Sequence, residues 1–140
     1  MMTGAEYEEH LLRLAMGFVS QERFYLSRPD RAARLANAGS EQEDLWGEVI
    51  GEFIGCTAKS DELLILILRH HDEDLLALFG QGYMQPWVEK ASAERLEWLA
   101  ELVRTDERAR RAISGVRRPP EARPESSLWG LIADPPEWRR

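Results

Sequence analysis

Helix-start signals recur along this chain at short intervals, and no stretch alternates apolar and polar residues with a period of two, so strands have no pattern to build on. Thr3 with Glu6 and Ser40 with Glu43 are capping boxes, in which a hydroxyl and a carboxylate satisfy the opening backbone N–H groups. Behind the first, Tyr7, Leu11, Leu14, Ala15, Phe18 and Val19 recur at helical spacing and predict a helix to about Tyr25. Pro29 suits the first turn of a short connector helix that ends at Gly39. Behind Ser40, Leu45, Trp46, Val49, Ile50, Phe53 and Ile54 form a wide apolar stripe. Ser60-Asp61-Glu62 reads as the start of a fully buried helix through the apolar run from Leu63 to Leu68. Asp72-Glu73-Asp74 opens another helix with Gly80 as its stop, and Ser92 and Thr105 cap two more, the last ended by Gly115. The expectation is an all-α fold, a compact stack of short antiparallel helices.

Composition sets the scale. A chain of 140 residues with 44% hydrophobic side chains can bury a core without metal or disulfides. The expected domain is residues 1–118. Past it, Arg117-Arg118-Pro119-Pro120 begins a Pro-rich arm over 119–140, in which Leu128, Trp129, Leu131 and Ile132 form a short helical turn that folds back on its own domain. Cys56 is the single cysteine and has no partner within the chain, the acidic start is unlike a signal peptide, and the longest apolar run is too short to span a bilayer. These features point to the cytoplasm and away from membranes. Eighteen Lys and Arg against 25 Asp and Glu leave a net charge of −7, which disfavours nucleic acid and favours basic partners.

Few residues carry a chemical signature. His70-His71-Asp72-Glu73-Asp74 is the densest run of metal-ligand side chains, but adjacent imidazoles diverge by about 100° on a helix whereas a helical metal site uses i, i+4. No nucleophile elbow surrounds a serine or Cys56, and Gly80-Gln81-Gly82 lacks the third glycine and the Lys-Ser or Lys-Thr of a phosphate loop. No metal site and no cofactor is therefore expected. Gly47, Gly51 and Gly55 recur every fourth residue on one helix, which predicts a close neighbour along that stripe: foremost a helix of the same domain, with Gly55 as the helix cap, and as the alternative a partner helix in a groove. Charge is uneven: acids concentrate between Glu41 and Asp74, and arginines between Arg104 and Arg123, without the aromatics of a nucleic-acid platform.

Asp74-Leu75-Leu76-Ala77-Leu78-Phe79-Gly80-Gln81-Gly82-Tyr83-Met84-Gln85-Pro86-Trp87-Val88 resembles the "L-G-x-G-P-L-E-D-L-L" turn and helix of a bacterial family of small helical domains to which no activity is assigned. The family's later "D-x-x-F-R-x-A-L-x-x-V-W" is similar to the stretch from Thr105 to Val116, with Trp129 in the final aromatic place. Gln85 stands where that family tends to have Glu, and Tyr83-Met84 replaces its Pro-Leu. The resemblance runs from Glu41 to Ile132 and implies an all-α bacterial cytoplasmic protein, with no activity attached.

The functional expectation is a non-catalytic protein-binding domain, most concretely an immunity protein that occludes a basic toxin. Its partner-binding residues would be Glu41, Glu43, Asp44, Glu48, Glu52, Asp72, Glu73 and Asp74. Trp46 and Trp87 would be its anchors if exposed, but the expected place for both is the core. The alternative is a structural or adaptor domain that forms homo-oligomers through the glycine stripe and the tail from Leu128 to Trp138. A small metal-dependent enzyme using His70 or His71 is the third class.

Overall fold

The computed structural model describes residues 2–119 and 126–132, and among them every regular element is helical, as the caps and periodicity predict. The elements are α1 (Gly4–Leu26), α2 (Arg31–Asn37), α3 (Glu41–Gly55), α4 (Ala58–His70), α5 (Leu76–Phe79), α6 (Gln85–Lys90), α7 (Ala93–Thr105) and α8 (Glu107–Ile113). Single 3-10 turns lie at Glu73–Leu75 and Ser127–Leu131, and a π-turn at Gly80–Met84. Most of the expected Pro-rich arm, including Pro120, Pro124 and Trp138, lies outside the described residues. The chain forms two compact units, one of Met1–Phe53 with Thr57–Asp72 and one of Ile54–Cys56 with Glu73–Arg140.

In the first unit the Thr3 hydroxyl accepts the Glu6 N–H at 3.1 Å, so α1 begins at its capping box. Its stripe of Leu11, Leu14, Ala15, Phe18 and Val19 is buried, and α1 packs on α4. The helix ends at Ser27, and Arg28 then takes a left-handed φ of 55°. Pro29 lies ahead of α2 and not in its first turn: Asp30 caps the helix, which buries no side chain and leaves Leu35 65% exposed. At the head of α3 the Ser40 hydroxyl accepts the Glu43 N–H at 3.1 Å, while the Glu43 carboxylate accepts from Gly39 N at 3.0 Å, one residue before the usual capping-box donor.

The end of α3 differs from expectation. Gly55 is the last helical residue, and the left-handed position after it is Cys56 at φ 50°, with Thr57 N–H reaching the Glu52 carbonyl at 3.2 Å as in a Schellman closure. Thr57 then caps α4 by accepting the Ser60 N–H, three residues ahead of the expected Ser60 cap. Ser60 is instead buried in the first turn, its hydroxyl turned back to the Thr57 carbonyl. Nor is α4 buried all round: Leu63, Leu64, Ile67 and Leu68 face the core, while Ile65 and Leu66 are only half-buried. The composition of the run conceals a helix with two unlike faces.

In the second unit Gly80 does not stop the helix. Gln85 N–H bonds the Gly80 carbonyl, a π-type span that carries the chain from α5 into α6. Pro86 supplies the reason, since it has no N–H and its ring would crowd the Gly82 carbonyl in a regular α-turn. Gly80 instead makes room for a neighbouring backbone. A Cβ there would overlap the carbonyl of Ala112, and one at Gly115 would overlap the carbonyl of Ala77. The backbones of α5 and α8 therefore meet directly. Ser92 caps α7 as expected, at 3.2 Å from Arg95 N. Asp106 rather than Thr105 caps α8, accepting from the N–H groups of Arg108 and Ala109, because Asp106 has the extended backbone of a cap whereas Thr105 is still the last residue of α7, its hydroxyl donating back to the Glu101 carbonyl at 3.0 Å. Arg110 closes the end of α7 by donating to the carbonyls of Val103 and Arg104.

The turn Ser127–Leu131 packs against α7 with Leu128 and Trp129 buried. Glu97 holds it from below, accepting the Ser127 N–H at 2.8 Å and the hydroxyls of Ser126 and Ser127. Those donors favour the ionised carboxylate and hold Glu97 below its ordinary range, the Ser127 hydroxyl having the largest effect.

Candidate functional site

The eight acids expected to bind a partner have unlike environments. In the first unit Glu41 pairs with Arg13 on α1. Glu43 is engaged by Gly39 N and, through its second oxygen, by the Tyr25 hydroxyl at 3.0 Å, and the Gly39 N–H foremost holds its carboxyl below the usual range. Glu52 accepts the Thr57 hydroxyl, which joins the end of α3 to the start of α4. Asp72 receives a two-pronged contact from Arg23, at 2.9 Å to Nε and 2.7 Å to Nη2, and this contact raises the Arg23 pKa. Asp44 and Glu48 stand exposed, without a side-chain partner among the described residues. In the second unit Glu73 lies 3.5 Å from Arg111, and Asp74 is exposed on the 3-10 turn.

Asp44 and Glu48 share a helical face with Gly47 and Gly51, at spacing i, i+3, i+4, i+7. Nothing lies within 4 Å of where a Cβ at Gly47 or Gly51 would sit. The close neighbour expected along the glycine stripe is absent there among the described residues, because α3 is held by its opposite side, where Val49 and Phe53 are buried. α3 does approach α1 closely at Gly17, where a Cβ would fall 2.7 Å from the Leu45 side chain. The stripe on α3 is thus an open, acidic strip with almost no side-chain relief.

The two tryptophans that would serve as anchors only if exposed are used internally. Trp87 is fully buried in the second unit, and Trp46 is half-buried with its indole N–H 3.3 Å from Glu22 and its ring against Tyr25 at 5.1 Å. Cys56 is 6% exposed, its Sγ 3.1 Å from Arg95 Nη1, while the Arg95 guanidinium stacks 5.1 Å above Trp87. The thiol is thus a packed group at the end of α3. His70 is exposed at the end of α4, whereas His71 is buried with its ring edge against Phe18, so the two imidazoles point apart. Among the described residues no group of three or more His, Cys, Asp or Glu side chains could hold a metal ion. No helix among them is long and apolar enough to cross a membrane.

A further feature escaped the periodicity argument. Beside α1 and α4 runs a cleft of about 480 Å³ with Leu11, Leu12, Ile65 and Leu66 among its lining residues, and Leu12 and Met16 on α1 are 41% and 40% exposed. The available signal was their position off the core stripe of α1. Across the Leu12–Met16 ridge a second cleft of about 340 Å³ is lined by Met16, Gly17, Ser20 and Leu45 among others. Comparison with family models, with curated proteins and with solved structures finds no match in any of the three.

Proposed function

We propose that this chain is a non-catalytic protein-binding domain that holds a basic partner on the outer face of α3, in the simplest case a toxin that it neutralises by occlusion. The observation that carries the reading is the coincidence of Asp44 and Glu48 with Gly47 and Gly51 on one open helical face. Each interior glycine costs a helix about 1 kcal/mol against alanine, and no packing among the described residues recovers that cost at these two positions. A partner helix lying along the strip recovers it, since the missing side chains let its axis approach to the near end of the usual range of about 8–10 Å. Asp44 and Glu48 then flank the contact with negative charge, which steers a basic surface into place and penalises an acidic one.

Cytoplasmic residence and kinship with the small helical bacterial domains belong to the same proposal. The segment carrying that resemblance, from Asp74 to Val88, holds the π-turn and the buried Trp87, so its pattern is one of packing residues. The adaptor alternative draws less support, because Leu128 and Trp129, the apolar part of its proposed contact, are buried against α7.

The test is affinity purification of the tagged chain from cells that natively encode it, beside the variant Asp44→Lys/Glu48→Lys. A basic protein recovered at fixed stoichiometry by the native chain and lost from the variant supports the reading. Equal recovery by both baits, or recovery of the bait alone, counts against it.

A further inference from the structure

We propose that the α1–α4 cleft of the first unit is the seat of a two-fold contact with a second copy of this chain. The contact is separate from the α3 face and does not rest on the partner proposed there. Leu12 and Met16 stand one turn apart on α1, each about two-fifths exposed, and form a ridge with a cleft on either side. A ridge between grooves is the shape by which helices interdigitate, and here one surface carries both halves of the fit.

Charge commits the cleft to its occupant. Glu8 and Glu62 line it near the start of α4, whereas Arg69 and His70 line it at the end of that helix. Glu62 and Arg69 are seven residues apart, so about 10.5 Å separates them along the helix axis. The Tyr7 hydroxyl donates to one Glu62 oxygen at 2.7 Å and fixes that carboxylate beside the cleft. A uniformly basic or acidic partner meets repulsion at one end. A second copy related by a two-fold axis meets complementarity at both, Glu62 of each chain lying toward Arg69 of the other, because an isologous contact repeats every pairing twice. The whole chain carries −7 and opposes self-association, so a dimer forms where the rim is balanced.

The experiment is sedimentation equilibrium of the full chain over a loading range of about 1–500 µM, with the variants Glu62→Arg, Arg69→Glu and the double exchange. The native chain is expected to show a reversible monomer–dimer equilibrium. Either single exchange should weaken it about tenfold, since each sets like charges opposite one another twice in the dimer. The double exchange should restore it to within about threefold, and an equimolar mixture of the two single variants should yield the mixed dimer in preference to either homodimer. Circular dichroism matching the native spectrum assigns any loss to the interface, and rescue by the double exchange excludes misfolding independently. A native chain that stays monomeric throughout the range overturns the proposal. So does a dimer whose affinity is unmoved by both single exchanges and by Leu12→Asp.

Discussion

Replacing Gly47 and Gly51 together by alanine should stabilise the free chain. Neither residue has a positive φ, both lie within α3, and the two added methyl groups meet nothing within 4 Å. Only the helix-propensity difference then remains, about 1 kcal/mol at each site and about 2 kcal/mol for the pair. With a urea m-value of about 2 kcal/mol/M for a chain of this size, the midpoint should rise by about 1 M at unchanged slope. Trp46 on the same helix reports the transition by fluorescence. The methyl groups also hold an approaching backbone away, so the same variant should bind the α3 partner less tightly. A gain in stability with a loss in binding is the signature of a strip kept bare for contact. A lowered midpoint would refute the reasoning, because it would mean that something in the free chain already lies against these glycines.

Gly80→Ala should act in the opposite sense and cost about 2–3 kcal/mol, since the new Cβ overlaps a backbone carbonyl that cannot rotate away; a urea midpoint equal to the native one would contradict the α5–α8 contact. Arg28→Gly should stabilise by about 0.5–1 kcal/mol, because an exposed side chain is relieved of a left-handed φ of 55° while the glycine adds unfolded-state entropy; a fall in thermal midpoint would speak against it. The Glu97 clasp should be pH-linked with a definite sign. A carboxyl held below its ordinary value contributes fully above that value, near about 4.3, and its contribution fades as pH falls through the lowered one. The amide resonances of Ser127 and Leu128, followed from about pH 7 to about pH 2, should therefore show an acid step that Glu97→Gln abolishes; the same step in that variant would assign it to another group.

The all-α class was legible because capping chemistry and apolar period agree at most helix starts, as at Thr3, Ser40 and Ser92. Boundaries slipped where two nearby residues could each serve. Thr57 outcompetes Ser60 and Asp106 outcompetes Thr105, in each case because the displaced residue itself lies within a helix, where its hydroxyl bonds back to a carbonyl of the preceding turn. The glycines were the hardest to read. Gly80 appears as a helix stop, yet the helical run continues through it, whereas α8 does end just before Gly115; what no local window shows is that Gly80 lies against the Ala112 carbonyl and Gly115 against that of Ala77, small residues paired three apart at a close helix approach. Gly47 and Gly51 show the converse, a spacing that suggests an internal neighbour on a face that has none among the described residues. Acidic residues were visible as a density, but which of them are committed within the chain depends on tertiary neighbours such as Arg13, Arg23 and Tyr25 that no local window contains.

A basic protein seated on Asp44 and Glu48 is tested most directly by the dissociation constant of the recovered partner for the native chain and for Asp44→Lys/Glu48→Lys, each at low and high salt. The account predicts a loss of at least about tenfold on charge reversal, with the native affinity falling as salt rises and the variant's affinity rising or staying level. Equal constants for the two chains at both salt concentrations would place the contact elsewhere and contradict it.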